Sequence, residues 1–179
     1  SLKGLMMQKI KSNILKSKRK ITFGILLFAG FFIFIWKLGS TGIIDETPAL
    51  FAAAGRNMYF SGDWLTPRIN DLPRFDKPPL IYWLIGIIYT LPGNQYWDSL
   101  GSLSARLPSA LASLSLMLLI GNILIISPFK NDKNPYLTAI FSSLGFSLSP
   151  LIVIWGRIST SDALLTSTLG ISLLLHWMF

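Results

Sequence analysis

The sequence has no cysteine, a single histidine and only eight acidic residues among its 179 residues. Without cysteine, this chain can form neither disulfide bonds nor a thiolate nucleophile. The one histidine, His176, lies in an apolar run, so these residues alone cannot make a metal site of the histidine and cysteine type. Carboxylates, hydroxyls and cationic side chains are left as the candidates for chemistry.

Charged residues make up 13% of the chain, whereas hydrophobic residues make up 51%. This composition is too apolar for an ordinary soluble domain and predicts an integral membrane protein. The net charge is +8, but seven of the sixteen lysines and arginines lie within the first twenty residues. Such a cluster is typical of a cytoplasmic flank beside a membrane helix, so we expect no nucleic-acid partner.

Four apolar segments are long enough to cross a bilayer core of about 30 Å. They comprise residues 21–38, 106–127, 136–155 and 163–179. A cleaved signal peptide is the rival interpretation of the first, but that run exceeds a typical signal core of about 7–15 residues. The last segment has no polar flank after it, so we expect an N-terminal piece of a longer polytopic protein. The predicted fold class is therefore all-α.

The predicted domains are a basic cytoplasmic N-terminus, residues 1–20, and a membrane domain, residues 21–179. Within the membrane domain, residues 39–105 form a predicted extracytoplasmic loop. Residues 78–91 of this loop are apolar, but at fourteen residues they suit an interfacial or re-entrant segment better than a span.

Charge near the later spans supports this topology. Lys130 and Lys133 mark residues 128–135 as cytoplasmic, whereas residues 94–105 contain no lysine or arginine. Both assignments follow from a cytoplasmic N-terminus only if residues 78–91 do not cross. We therefore predict that residues 78–91 lie at the outer interface.

The loop also contains signals of local structure. Thr47 and Pro48 are typical of a helix start, and Gly62 is suited to a helix end. The intervening residues predict a short amphipathic helix along the membrane surface. Four prolines from Asp63 to Pro79 then predict irregular backbone.

Five carboxylates and four cations are concentrated between Ile44 and Leu80. Individually, Asp45-Glu46 and Asp162 are suited to helix capping, because helix starts commonly recruit acids. Lys77 and Arg157 are equally suited to anchoring at the interface. Together, acids and cations on one membrane face favour a site that holds a lipid-linked anion beside a carboxylate base.

An ordered set of short motifs points to a known family. The motifs are DET at 45–47, SGDW at 61–64, PR at 67–68, DKPPLIYW at 76–83, ARLPSA at 105–110 and SP at 149–150, followed by Arg157 and Asp162. From about Gly42 to its end, the chain resembles the bacterial relatives of the protein O-mannosyltransferases. These are glycosyltransferases of the GT-C type, and the aminoarabinose lipid A transferases belong to the same group.

The resemblance implies an inverting transfer of a sugar from a polyprenyl-phosphate donor to an acceptor at the extracytoplasmic face of the bacterial inner membrane. The expected partners are membrane lipid and a protein, lipid or glycan acceptor. The family is several times longer, so we expect this piece to be the N-terminal part of a GT-C fold and inactive alone.

The resemblance also assigns roles to individual residues. Asp45 would be the catalytic base with Glu46 beside it, and Asp162 would be the second acidic residue of the site. The expected substrate-binding residues are Lys77, Arg68 and Arg157, with the carrier phosphate on Lys77. Asp76 occupies the position where the lipid A transferases have a zinc-binding glutamate, so a divalent metal at Asp76 is a further hypothesis.

Two other classes of protein are alternatives to an enzyme. A transporter subunit would place ionisable residues within its spans, whereas the four apolar segments have almost none. A non-catalytic membrane scaffold would need no ordered set of acids and lysine. The sequence therefore favours the glycosyltransferase.

Overall fold

The structure is a computed structural model that describes the backbone of residues 2–178. It describes their side chains except those of residues 2–5, Lys11 and Gln95. Ser1 and Phe179, the outer ends of the predicted segments 1–20 and 163–179, lie outside the described residues.

The described chain is mostly helical, which confirms the all-α prediction in its coarse form. The helices, in chain order, are α1 (Leu2–Gly30), α2 (Glu46–Ser61), α3 (Leu80–Tyr89), α4 (Asn94–Trp97), α5 (Ser102–Ile126), α6 (Pro135–Ser147), α7 (Pro150–Arg157) and α8 (Asp162–Met178). A π-helical turn, Phe31–Ile35, follows α1. An antiparallel hairpin of β1 (Arg68–Ile69) and β2 (Leu72–Pro73) lies between α2 and α3.

One helix in residues 2–178, α5, is by itself long and apolar enough to cross a membrane. The consecutive helices α6 and α7 pass the same test only as a pair, and α3 is apolar but short. The first predicted segment, residues 21–38, is split between the end of α1, the π-helical turn and a following turn. The membrane spans and domain bounds themselves stay predictions.

The predicted span over residues 136–155 corresponds to two helices, α6 and α7, which pass the test together but are separated by a break. The chain bends by 68° between α6 and α7. Pro150 begins α7, and Ser149 before it has extended backbone with ψ of 130°. Proline lacks the N–H that would continue the ladder, and it disfavours helical backbone at the residue before it.

Helices α2 and α3 pack in parallel. Near their starts, the rings of Phe51 and Tyr82 stack with centroids 5.5 Å apart. Near their ends, the rings of Tyr59 and Tyr89 stack at 6.3 Å. Between these pairs Gly55 lies directly against α3, where any added Cβ would collide with Ile85. The residue pairs advance together along both helices, so both N-termini lie at the same end of the pair.

Helices α1 and α5 pack in antiparallel fashion. An added Cβ at Gly30 would collide with Leu114, and one at Gly121 would collide with Leu26. Earlier residues of α1 therefore meet later residues of α5. This packing places the basic start of α1 at the opposite end of the bundle from Asp45.

Candidate active site

The carboxylate of Asp45 is exposed at the start of α2. Asp45 occupies the capping position with φ of −76° and ψ of 144°, yet its side chain makes no capping hydrogen bond. Glu46 is the first helical residue and is also exposed. The capping alternative for Asp45 therefore does not describe the structure, and its carboxylate is accessible to a substrate.

Lys77 lies at the same end of the α2 and α3 pair as Asp45. It is exposed, and Pro78 and Pro79 separate it from the first residue of α3. The parallel packing brings the segments that precede the two helices to one end. The predicted base and the predicted phosphate ligand therefore lie at the same end of the helix pair, and a helix N-terminus there favours anions.

Arg74 is the residue that holds this end together, and the sequence reasoning gave it no role. Its Nε lies 2.8 Å from Oδ1 of Asp76 and donates a hydrogen bond of 3.2 Å to the hydroxyl of Tyr82. Its guanidinium also lies over the ring of Phe51, 5.6 Å from the centroid. Arg74 thereby links the loop to both α2 and α3.

The hydroxyl of Tyr82 accepts this bond in its neutral form. Burial raises the pKa of Tyr82 above its ordinary value, against the opposing effect of Arg74. No local sequence signal distinguishes Arg74 from the other loop cations, because its partners come from three separate segments.

Asp76 is engaged by Arg74 and is half exposed. Nowhere in the described residues do three or more histidine, aspartate or glutamate side chains lie close enough together to hold a metal ion. The described residues alone therefore do not complete a zinc site, and the metal-binding role predicted for Asp76 stays a prediction.

Arg68 lies in the hairpin and contacts the loop itself. Its Nε is 3.7 Å from the carboxylate of Asp63, and its Nη1 donates to the carbonyl of Asp71 at 3.2 Å. Its own carbonyl accepts a bond from Asn57 of α2 at 3.1 Å. These contacts fix the hairpin on α2, and the predicted role of Arg68 in substrate binding stays a prediction.

Asp63 anchors the start of the same loop. Its carboxylate accepts backbone hydrogen bonds from Leu65 and Thr66, both 3.1 Å long. These bonds lower the pKa of Asp63 below its ordinary value. Asp63 is therefore ionised at neutral pH and shapes the turn after α2.

Asp162 is the first residue of α8 and is half buried. Leu164, two residues later in that helix, belongs to the buried cluster that contains Phe51 and Tyr82. Ser109 of α5 fixes the segment before Asp162 by donating to the carbonyl of Thr160 at 3.1 Å. The start of α8 thus packs on the same cluster as α2 and α3.

Arg157 and Arg106 hold the segment that leads from α1 to Asp45. Arg157 donates to the carbonyls of Ile33 at 2.8 Å and Trp36 at 2.9 Å. Arg106 donates to the carbonyl of Leu38 at 2.8 Å and, further along, to those of Thr41 and Gly42. Both guanidinium groups therefore position backbone, and the substrate-binding role predicted for Arg157 stays a prediction.

Comparison with known proteins finds bacterial sugar transferases. The chain is 27% identical over 146 residues to an undecaprenyl phosphate-alpha-4-amino-4-deoxy-L-arabinose arabinosyl transferase of Pseudomonas savastanoi, a match that covers 76% of the chain and 26% of the relative. It is 28% identical over 150 residues to the enzyme of that name from Shewanella sediminis, and this match covers 83% of the chain and 25% of the relative. It is 27% identical over 161 residues to the enzyme of that name from Pectobacterium atrosepticum, and this match covers 90% of the chain and 27% of the relative.

These matches support a GT-C-like relationship. They also support a glycosyltransferase function at the level of the general class. The chain spans about a quarter of the length of these relatives. No family model matches the chain, and no solved structure does.

Proposed function

We propose that this chain is part of a GT-C glycosyltransferase that uses a polyprenyl-phosphate sugar as donor. The observation that carries the proposal is the parallel packing of α2 and α3, which brings Asp45 and Lys77 to one end. A carboxylate base and a phosphate-binding cation are the two groups that such a transfer needs on one face. The acceptor is a protein, a lipid or a glycan at the extracytoplasmic face of the bacterial inner membrane.

The proposed reaction inverts the configuration at the sugar. The acceptor hydroxyl attacks the anomeric carbon while Asp45 takes its proton, and the bond from that carbon to the phosphate oxygen breaks. A positioned general base contributes typically 10²–10⁴-fold to such a step. The electron pair of the broken bond leaves with polyprenyl phosphate, so the charges balance.

Lys77 neutralises the departing phosphate. A lysine ammonium is a compact point charge with three donors, and the two prolines after it restrict its backbone. The free amides at the start of α3 add a positive helix end next to it. Arg68 is the second proposed phosphate ligand, and Glu46 is the alternative base because it is exposed beside Asp45.

Asp162 is proposed as the second acidic residue of the site. Its helix packs on α5, and Leu164 near its start belongs to the cluster that includes Phe51 and Tyr82. Arg157 and Arg74 support the site by ordering the backbone before Asp45 and before Lys77. We expect the segment alone to be inactive, since the rest of the protein would supply the donor and acceptor pockets.

The test uses the full-length protein in liposomes with a panel of polyprenyl-phosphate sugars and a bacterial membrane extract that supplies protein, lipid and glycan acceptors. The panel includes undecaprenyl phosphate-4-amino-4-deoxy-L-arabinose, which the names of the relatives suggest. We expect release of polyprenyl phosphate with one donor, and loss of that release in Asp45→Asn.

The control variant is Asp132→Asn in the predicted cytoplasmic loop, which should release polyprenyl phosphate at the normal rate. Consumption of none of the donors by a folded protein would contradict the proposal. Such a result would favour a membrane scaffold, and movement of a solute without chemical change would favour a transporter subunit.

A further inference from the structure

A basic groove lies between α1 and α5, at the end of the bundle opposite Asp45. Its volume is about 770 Å³, and its lining includes Lys16, Arg19, Lys20 and Phe23 of α1 with Leu118 and Asn122 of α5. None of the residues named above as candidates for the transfer reaction lines it. The groove is therefore separate from the candidate active site.

The spacing of the three cations directs them to one face of α1. Positions three and four residues apart are neighbours on a helix surface, as Lys16, Arg19 and Lys20 are. Arg19 shows which way this face points, because its Nη2 donates a hydrogen bond of 2.9 Å to Oδ1 of Asn122. The cations thus line a cleft against α5, and Lys16 and Lys20 are exposed there.

The position of the groove along α5 matches the edge of a bilayer. Helix α5 is long and apolar enough to cross, and Asn122 lies in its last two turns. Phe23 and Leu118 lie on the hydrocarbon side of the cations, where α1 becomes apolar. The excess of cations in the first twenty residues assigns this end to the cytoplasmic leaflet.

The lining combines two chemistries that a phospholipid also combines. Three cations and an amide line one end of the groove. None of its described lining residues is a carboxylate. Basic pockets between membrane helices on the cytoplasmic side suit anionic head groups, and apolar side chains beside them suit an acyl chain. We propose that this groove binds one anionic phospholipid of the inner leaflet, with its phosphate on Lys16, Arg19 and Lys20.

The test uses native mass spectrometry of the full-length protein in mild detergent, titrated with phosphatidylglycerol or phosphatidylcholine. We expect one phosphatidylglycerol to be retained in preference to phosphatidylcholine. The triple variant Lys16→Gln, Arg19→Gln, Lys20→Gln should weaken that retention by about tenfold or more, since each cation near the surface contributes to anionic lipid binding.

A charge-matched control distinguishes lipid binding in the groove from general electrostatic attraction of anionic lipid to the protein. Lys9→Gln, Lys18→Gln, Lys130→Gln removes the same charge outside the lining and should leave retention unchanged. Leu118→Trp keeps every charge but fills the apolar part, so it should also weaken retention, even if the triple variant does not fold.

Three results would overturn the proposal. The first is equal retention of the two lipids by the unaltered protein, as expected if a later segment of the full chain fills the groove. The second is an equal loss in the control triple variant. The third is normal retention by Leu118→Trp.

Discussion

Nη2 of Arg106 donates a hydrogen bond of 3.0 Å to the carbonyl oxygen of Gly42, which lies 64 residues earlier in the chain. Nη1 of the same guanidinium donates to the carbonyl of Leu38 at 2.8 Å. Asp45 follows Gly42 by three residues. The start of α5 therefore fixes the direction from which the chain approaches the proposed catalytic base.

Loss of this anchor should slow transfer without removing a catalytic group. In the full-length enzyme, Arg106→Gln leaves the carbonyls of Leu38 and Gly42 without their donor. A displacement of a catalytic group by about 1 Å can cost about 100-fold in rate, so we expect a fall of about 10–100-fold in kcat. Hydrogen exchange should increase at residues 39–45.

Arg106→Lys is the matched variant, since lysine keeps the charge but lacks the planar fork that reaches several carbonyls. It should recover part of the rate. An Arg106→Gln enzyme with normal kcat and unchanged exchange at residues 39–45 would show that this anchor does not position the base.

Removal of the base should separate donor binding from transfer. Asp45→Asn keeps the size of the side chain but removes its basicity, so transfer should slow by roughly 10²–10⁴-fold. Donor affinity, measured by equilibrium binding to the full-length protein, should change little.

Glu46→Gln is the matched variant on the adjacent position. We expect it to retain most of the transfer rate. If Glu46→Gln is inactive and Asp45→Asn is active, the base is Glu46; normal rates in both variants would remove this turn from the chemistry.

Lys77 and Arg74 are close in sequence, but their substitution by alanine should have different effects. Lys77 is exposed, so Lys77→Ala should raise the KM for the polyprenyl-phosphate donor and leave the thermal unfolding temperature unchanged. Unaltered donor kinetics in this variant would assign Lys77 to interfacial anchoring alone.

Substitution of Arg74 should mainly lower the stability of the fold. Arg74→Ala leaves the buried hydroxyl of Tyr82 and the carboxylate of Asp76 without their shared donor. Loss of one partner of a buried polar group costs about 1–3 kcal/mol, so the free energy of unfolding should fall by that amount. Arg56→Ala, an exposed cation on α2, is the control and should change it less; equal losses would contradict the role given to Arg74.

Topology can be tested by labelling, because the described segment contains no cysteine of its own. We predict that residues 78–91, which contain α3, stay at the outer interface because the apolar run is too short to cross. In full-length protein without other reactive cysteines, Tyr96→Cys and Asn131→Cys should then label from opposite sides of the membrane. Tyr96 is 84% exposed and should react from outside; labelling of Tyr96→Cys only from the cytoplasm would refute the prediction.

The sequence by itself determined where several helices begin and end. Gly62 ends α2 in the left-handed conformation at φ of 72°, as a glycine after a helix is suited to do. The apolar run at 106–127 corresponds to α5, and the short run at 78–91 contains α3. These features depend on local propensity and hydrophobic length, which a sequence contains directly.

The break at Pro150 shows where local reasoning was incomplete. The prediction of a span over residues 136–155 rests on apolar length, which does not register the helix break that Pro150 introduces. The hairpin at Arg68–Ile69 and Leu72–Pro73 was likewise predicted only as irregular backbone. Hydrophobic length outweighed turn chemistry in that part of the prediction.

The tertiary structure alone decided which charged residues meet. Arg74 joins a loop to Phe51 and Tyr82, and Arg106 reaches carbonyls more than sixty residues away. Sequence reasoning assigns neither arginine a role, because most of their partners are backbone carbonyls or side chains that lie on other helices or in other segments. The common location of Asp45 and Lys77 depends in the same way on the parallel packing of α2 and α3, which no local pattern in either helix specifies.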